Sequence, residues 1–245
     1  MRHAASIVAM HRAVIFDLYG TLLVADEAAD AALRRALYDA LDSYGLRMSF
    51  ERFSMRYDRA RDMPVPRGRP SDLTPRERWL HRFLIRLGLV VPLEALRAIN
   101  EDALDVWGAQ VRLDPDALDV LGALHAEKRL ALVADFDHPP HARQAIESTG
   151  LASFFEAIIL TGDIGIDKQD WTLFMPAIEA MEVRPSEVIY VGDTVEDVLA
   201  ARRTGLVPIL VDRGREPIPE EAFGFLGRPA TIRSLSELLA SDMPT

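Results

Sequence analysis

The spacing of apolar residues changes character twice along this chain. Val14, Ile15 and Phe16 form a short continuous apolar run, β-branched and aromatic, which predicts a strand buried on both faces of a parallel sheet. From Asp26 to Tyr44 the period becomes helical, with Ala29, Leu33, Leu37 and Leu41 on one stripe and Gly45 as the stop. Ser49 is placed to cap a second helix carrying Phe53 and Tyr57. Met63 to Pro75 holds four prolines and a glycine and reads as a mobile loop at the entrance of a site, where Arg67 and Arg69 either meet an anion or simply lie on a solvated loop. Thr74-Pro75-Arg76-Glu77 then reads as a helix start, with Pro at the first helical position and Glu three residues after Thr. That helix carries Trp79, Phe83 and Leu87, and another follows from Pro92 to about Trp107. Residues 25–111 thus read as helical, without strand signals.

From Asp114 helices and strands alternate. Strands are predicted at 130–134, 157–160, 188–191, 207–211 and 230–232. The helices between and around them fall at 115–127, 140–149, 171–181, 195–204 and 234–239. Repeated βα units imply an α/β fold with a doubly wound parallel sheet. The chain therefore divides into a core, residues 1–24 and 112–245, and an inserted helical domain, residues 25–111, expected as a lid over the end of the first strand. Met1–Met10 carries an apolar patch too short for a signal peptide and is expected to be a mobile leader, with Met10 an alternative start.

Composition narrows the function. With 245 residues, 28 basic and 38 acidic, the formal charge is −10, which argues against a general nucleic-acid binder. An anionic substrate would need a local positive site against that field. There is no cysteine, which removes disulfides, thiolate nucleophiles and Cys-based metal sites and suits a reducing cytoplasm. No apolar run approaches the roughly 20 residues of a membrane span. Oligomeric state is not legible.

The candidate chemistry sits where the predicted strands end. Asp17 closes the first strand and is followed by Gly20 and Thr21. Ala134-Asp135-Phe136-Asp137 follows the second, Gly165-Ile166-Asp167-Lys168 the third, and Gly192-Asp193-Thr194-Val195-Glu196-Asp197 the fourth. In a parallel sheet these carboxyl ends converge on one crevice. Asp17, taken alone, also suits a helix cap or turn. Together the residues have a logic: Asp17 as nucleophile, Asp193 beside it around a hard cation such as Mg²⁺, and Lys168 neutralising the carboxylates and the substrate. Asp197 either joins the metal or holds Lys168.

These motifs resemble the haloacid dehalogenase superfamily: Asp-x-x-Gly-Thr at 17–21, a helical cap, a lysine motif and the acidic motif of 192–197. The resemblance implies a Rossmann-like core, catalysis by Asp17, Tyr19, Thr21 and Lys168, and Mg²⁺ between Asp17, the backbone carbonyl of Tyr19 and Asp193, with Asp197 near. It also implies a small anionic substrate meeting Ala134 and Asp135. Most of the superfamily are phosphatases. The sequence departs from that pattern twice. Tyr19 stands where the phosphatases carry a second acid; Phe-Asp-Leu-Tyr-Gly-Thr-Leu looks like the L-2-haloacid dehalogenases, whose halide leaves without a proton. Ala134 and Asp135 replace the usual Ser/Thr and Asn, so Ala134 offers no hydroxyl and Asp135 adds a negative charge. Gly192-Asp193, by contrast, is the metal-binding form. A cap arginine, as in the dehalogenases, would come from Arg52, Arg56, Arg59 or Arg61. The expected activity is Mg²⁺-dependent hydrolysis of a small phosphorylated metabolite, with a 2-haloacid dehalogenase or a catalytically impaired binding protein as the alternatives.

Overall fold

In the computed structural model the described residues are 4–61, 63, 73–165, 170–214 and 217–239. Lys168, Asp167, Arg67 and Arg69, and most of the Pro-rich loop expected over Met63–Pro75, lie outside them. In chain order the elements are α1 Ala4–Met10, β1 Ala13–Phe16, β2 Leu23–Ala25, α2 Ala29–Leu41, α3 Phe50–Arg61, α4 Pro75–Arg86, α5 Leu93–Gly108 and β3 Val111–Leu113. There follow α6 Ala117–His125, β4 Arg129–Ala134, α7 Pro139–Ser148, β5 Ala157–Leu160, α8 Thr161–Ile164, α9 Met175–Ala180, β6 Val188–Gly192, α10 Val195–Thr204, β7 Val207–Val211 and β8 Ala230–Ile232. Among the described residues no helix is long and apolar enough to cross a membrane.

Six strands form one sheet in the order β5-β4-β1-β6-β7-β8, every neighbouring pair parallel. β1 is central and all four of its residues are buried, which is why it reads as an unbroken apolar run rather than an alternation. The sheet's apolar side chains, Ile15, Ala131, Val133 and Tyr190 among them, pack on Phe174, Ile178 and Ala201 of the covering helices. This is the doubly wound α/β fold.

The chain separates into two compact units: residues up to Val24 with Leu113–Asp135 and Ile146 onward, and Ala25–Arg112 with Phe136–Ala145. The second is helical. Its centre is aromatic: Phe53, Tyr57, Trp79 and Phe83 interlock at centroid distances of 5.1–6.3 Å, and the Trp79 indole donates to the Ala60 carbonyl at 2.8 Å. The start at Thr74 forms as its spacing predicts, with the Thr74 side chain accepting from the Glu77 N–H and Glu77 reaching back to the Thr74 N–H.

The structure corrects the sequence reading in several places. Phe136–Ala145, expected with the core, groups with the helical unit, because Phe136 packs on Trp107 and the Arg76 N–H donates to the Asp137 carbonyl. Residues 23–25 and 111–113 form a two-stranded ribbon where no strand was expected; three-residue strands are too short to show a period. Ala4–Met10 of the expected leader forms α1, because Ala4 and Val8, one turn apart, bury their side chains. The helix expected over 171–181 begins as a 3₁₀ turn, Trp171–Phe174, since Pro176 cannot donate to a carbonyl four residues back. The last helix is likewise only a 3₁₀ turn, Leu235–Leu238.

Candidate active site

The candidate site is built at the carboxyl ends of β1, β4 and β6. The register sets Phe16 level with both Leu132 and Val191, and the Asp17 N–H donates to the Val191 carbonyl at 2.9 Å. Asp17 is therefore the first residue beyond the sheet on its central strand. The chain then turns back on itself: the N–H groups of Leu22 and Leu23 both donate to the Leu18 carbonyl, and Gly20 donates to Leu23. That turn brings the Thr21 hydroxyl to 3.4 Å from the Asp17 Oδ2.

Gly20 is required twice over. Its φ is +90°, a left-handed conformation, and a Cβ there would collide with the Asp193 carboxylate. Its bare α-carbon is what lets Asp193 approach the turn. One oxygen each from Asp17, Asp193 and Asp197 lies within 4.8 Å of the others. Asp17 is 3% exposed and Asp197 1%, while Asp193 is half-buried. Carboxylates this close repel one another, and two of them have lost most of their water, so the cluster favours a bound cation. The donor set is all hard oxygen and fits a hard divalent ion.

Asp197 has a second task. It is the third residue of α10, and its Oδ2 accepts from the Thr194 hydroxyl at 2.6 Å and the Thr194 N–H at 3.0 Å. Its Oδ1 accepts from the Tyr190 hydroxyl at 2.7 Å. A Cβ on Gly192 would strike this carboxylate, so the glycine of the acidic motif makes room for its own aspartate. Burial, then the charges of Asp197, Asp17 and Asp193, push the Tyr190 phenol well above its ordinary range, so it keeps its proton and donates.

Tyr19 lies on the turn between Asp17 and Gly20. Burial pushes its phenol upward too, which makes it a still poorer proton donor at neutral pH than an ordinary tyrosine. Ala134 is buried at the end of β4, paired in register with Leu160 of β5. The extra charge of Asp135 is engaged: its Oδ1 accepts from the Thr161 hydroxyl at 2.6 Å, at the start of α8.

Sequence reasoning missed Tyr190, Thr161 and Arg213 as site-forming residues. Arg213 stands two residues beyond β7, so a search of every strand end would have found it. Its guanidinium donates to the carbonyls of Gly20 (3.2 Å) and Thr21 (2.8 Å).

The helical unit has a cavity of its own, about 290 Å³, lined by Arg34, Arg61 and Arg76 and by Tyr57, Trp107 and Phe136. Arg34 pairs with Asp58 at 3.2 Å, and the Arg76 Nε donates to the Asn100 side chain at 2.9 Å. Of the four arginines expected from the cap, only Arg61 lines this cavity; Arg52, Arg56 and Arg59 are exposed.

Comparison with known proteins bears on the family and the fold. The chain is 39% identical over 85 residues to the phosphoserine phosphatase of Thermus thermophilus, covering 34% of each chain. It therefore spans about a third of that relative's length, and 29% of that of a glyceraldehyde 3-phosphate phosphatase of Methanopyrus kandleri, 33% identical over 67 residues and 27% of this chain. It is 23% identical to the (S)-2-haloacid dehalogenase 4A of Burkholderia cepacia over 93% of both. Among solved structures, a HAD phosphatase from Thermococcus onnurineus superposes with a TM-score of 0.65 at 22% identity, covering 93% of this chain and 95% of that one. The Bacillus subtilis protein YfnB, solved bound to magnesium, superposes with a TM-score of 0.63 at 18% identity, covering 93% and 96%. The family model for haloacid dehalogenase-like hydrolases matches residues 11–205, and the chain belongs to that family.

Proposed function

We propose that this protein is a Mg²⁺-dependent hydrolase of a small phosphorylated metabolite, with Asp17 as nucleophile and residues 25–111 as its cap. The observation that supports this most is the approach of the Asp193 carboxylate to Asp17 across the bare Gly20. An Asp17 oxygen attacks phosphorus, the bond to the leaving oxygen breaks, and the phosphoryl group passes to the carboxylate. Water then attacks that phosphorus, releasing phosphate and restoring Asp17. The Thr21 hydroxyl orients the attacking carboxylate, and Lys168 neutralises charge on carboxylates and substrate. Mg²⁺ held by Asp17, the Tyr19 carbonyl and Asp193, with Asp197 bracing the site, would offset the charge on the transferring oxygens. Ala134 and Asp135 border the anion, with Asp135 held aside by Thr161. The leaving oxygen is the weak point. Tyr19 cannot readily protonate it, so activated esters such as aryl phosphates are the expected better substrates.

A panel of phosphate esters and 2-haloacids, each assayed with Mg²⁺ and with EDTA, tests this. Phosphate release that EDTA stops is the expected result. Calorimetry should show Mg²⁺ binding to the wild type and little to Asp193→Ala; equal binding by both would sink the metal assignment. Tyr19 favours a second reading, a 2-haloacid dehalogenase, which predicts halide release indifferent to EDTA. If neither class reacts, Ala134 and Asp135 become the block, and a ligand-binding role replaces catalysis. A cysteine-free chain suits the cytoplasm.

A further inference from the structure

Two of the stretches at the limits of the core unit lie side by side in this turn region: the outgoing Gly20–Leu23 and the returning Leu113–Asp114. We propose that Arg213 is a positioning residue that clamps both and thereby sets the geometry of the Asp17–Asp193 pair; this rests on the reading of that pair as the reacting centre. One guanidinium makes three contacts. Its Nε donates to the Gly20 carbonyl at 3.2 Å, and its Nη2 donates to the Thr21 carbonyl at 2.8 Å and pairs with the Asp114 Oδ2 at 2.8 Å. The ring of contacts then closes, since the Asp114 N–H donates to the Leu22 carbonyl at 2.9 Å and the Asp114 Oδ1 accepts from the Asp116 N–H at 3.0 Å.

The residues so held are the ones the site depends on. Gly20 is where Asp193 approaches, and Thr21 carries the hydroxyl facing Asp17. The planar fork matters here, because two carbonyls and a carboxylate must be reached in fixed directions, and a lysine ammonium on a flexible stem does not reproduce that. The charge of Arg213 is already balanced by Asp114, which is 3% exposed. Its contribution is therefore directional rather than a field acting on the substrate.

The pair also carries an ordinary structural role, because a buried Asp114 left without its cation destabilises the fold. Four proteins separate the two: wild type, Asp114→Asn, Arg213→Lys, and the double variant Asp114→Asn/Arg213→Gln, which buries no unpaired charge. The readouts are amide hydrogen exchange of the peptide spanning 18–24, exchange of the β7 peptide as an internal control, and Mg²⁺ affinity by calorimetry. Asp114→Asn keeps the bonds to Gly20 and Thr21, so its 18–24 exchange should stay close to wild type. The double variant and Arg213→Lys should both exchange faster there, by roughly 10-fold, with β7 unchanged. Their Mg²⁺ affinity should fall about 10-fold, the low end for a group that orients metal ligands. Exchange at 18–24 in Arg213→Lys and the double variant no faster than in Asp114→Asn overturns the proposal. If the double variant does not fold, Arg213→Lys, which keeps the charge pair, decides alone. If the wild type binds no Mg²⁺, the metal reading fails and the exchange result still judges the clamp.

Discussion

The strand ends of the core unit and the interior of the helical unit hold their polar groups in different ways. At the strand ends the carboxylates of Asp17, Asp135 and Asp197 meet hydroxyl groups that are close in sequence or at the end of the adjacent strand. Thr21 meets Asp17 four residues away, Thr194 meets Asp197 three away, and Tyr190 meets Asp197 seven away. In the helical unit the partners come from distant helices: Arg34 with Asp58, Arg76 with Asn100, and the Trp107 indole with Asp30, 77 residues apart. A strand end is rigid because the sheet fixes its register, so a few residues can specify a constellation of carboxylates. A helical cavity has no such frame, and its shape follows from how aromatic side chains pack.

The largest expected effect lies on the rigid side. Asp17→Asn should lower hydrolysis of an aryl phosphate by about 10⁴-fold or more, the scale of losing a nucleophile, while thermal unfolding stays near wild type. Turnover surviving this change would break the assignment of chemistry to the strand ends. On the other side, Phe83→Ala removes a ring that is stacked on Trp79 at 5.3 Å and buried beside Phe53 and Tyr57. It should cost about 3–5 kcal/mol in denaturant unfolding of the helical unit, as such truncations do. A loss shared equally by core-unit probes would mean the two regions unfold together.

A third change asks whether the site lacks only an acid. Tyr19→Asp should raise activity on alkyl phosphates by roughly 10²-fold more than on aryl phosphates, since general acids contribute on that scale where the leaving group needs a proton. An unchanged ratio, with active wild type, removes Tyr19 from the acid position.

The smallest effect is a pH dependence confined to the helical unit. His138 is buried there, with its Nδ1 2.9 Å from the Thr74 hydroxyl and 3.4 Å from the Asn100 amide nitrogen, and burial lowers its pKa. His141, lowered by burial as well, lies nearby, as do Arg76 and Glu77. The folded state therefore prefers neutral His138, and the unfolded chain takes up the proton first. Stability contributed by the neutral ring is present above the ordinary histidine value of about 6.5 and is lost as pH falls below it. Melting between pH 7.5 and 5 should show this decline, reduced in His138→Asn. An identical decline in that variant would assign the effect to His141 or to the carboxylates.

Much of the core was legible because local rules and tertiary structure agree there. The apolar run of β1, the span of α10, and strands β5, β7 and β8 follow from period and β-branched content, whereas the cap of α10 is Thr194. So does the meeting of Asp17 with Asp193, because parallel strands of similar length must end on one side. What sequence could not carry is whatever depends on distant partners. Arg213 has no local mark of its role, since its partners are backbone carbonyls 192 and 193 positions away and the carboxylate of Asp114, just after β3. Phe136–Ala145 joins the helical unit only because Trp107 and Arg76 are there to receive it. Asp135 looks in sequence like an uncompensated charge, and only the fold brings Thr161 to it. Periodicity and short motifs are properties of neighbouring residues, whereas the clamp, the unit boundary and the compensated charge arise from contacts between distant residues that exist only once the chain has folded.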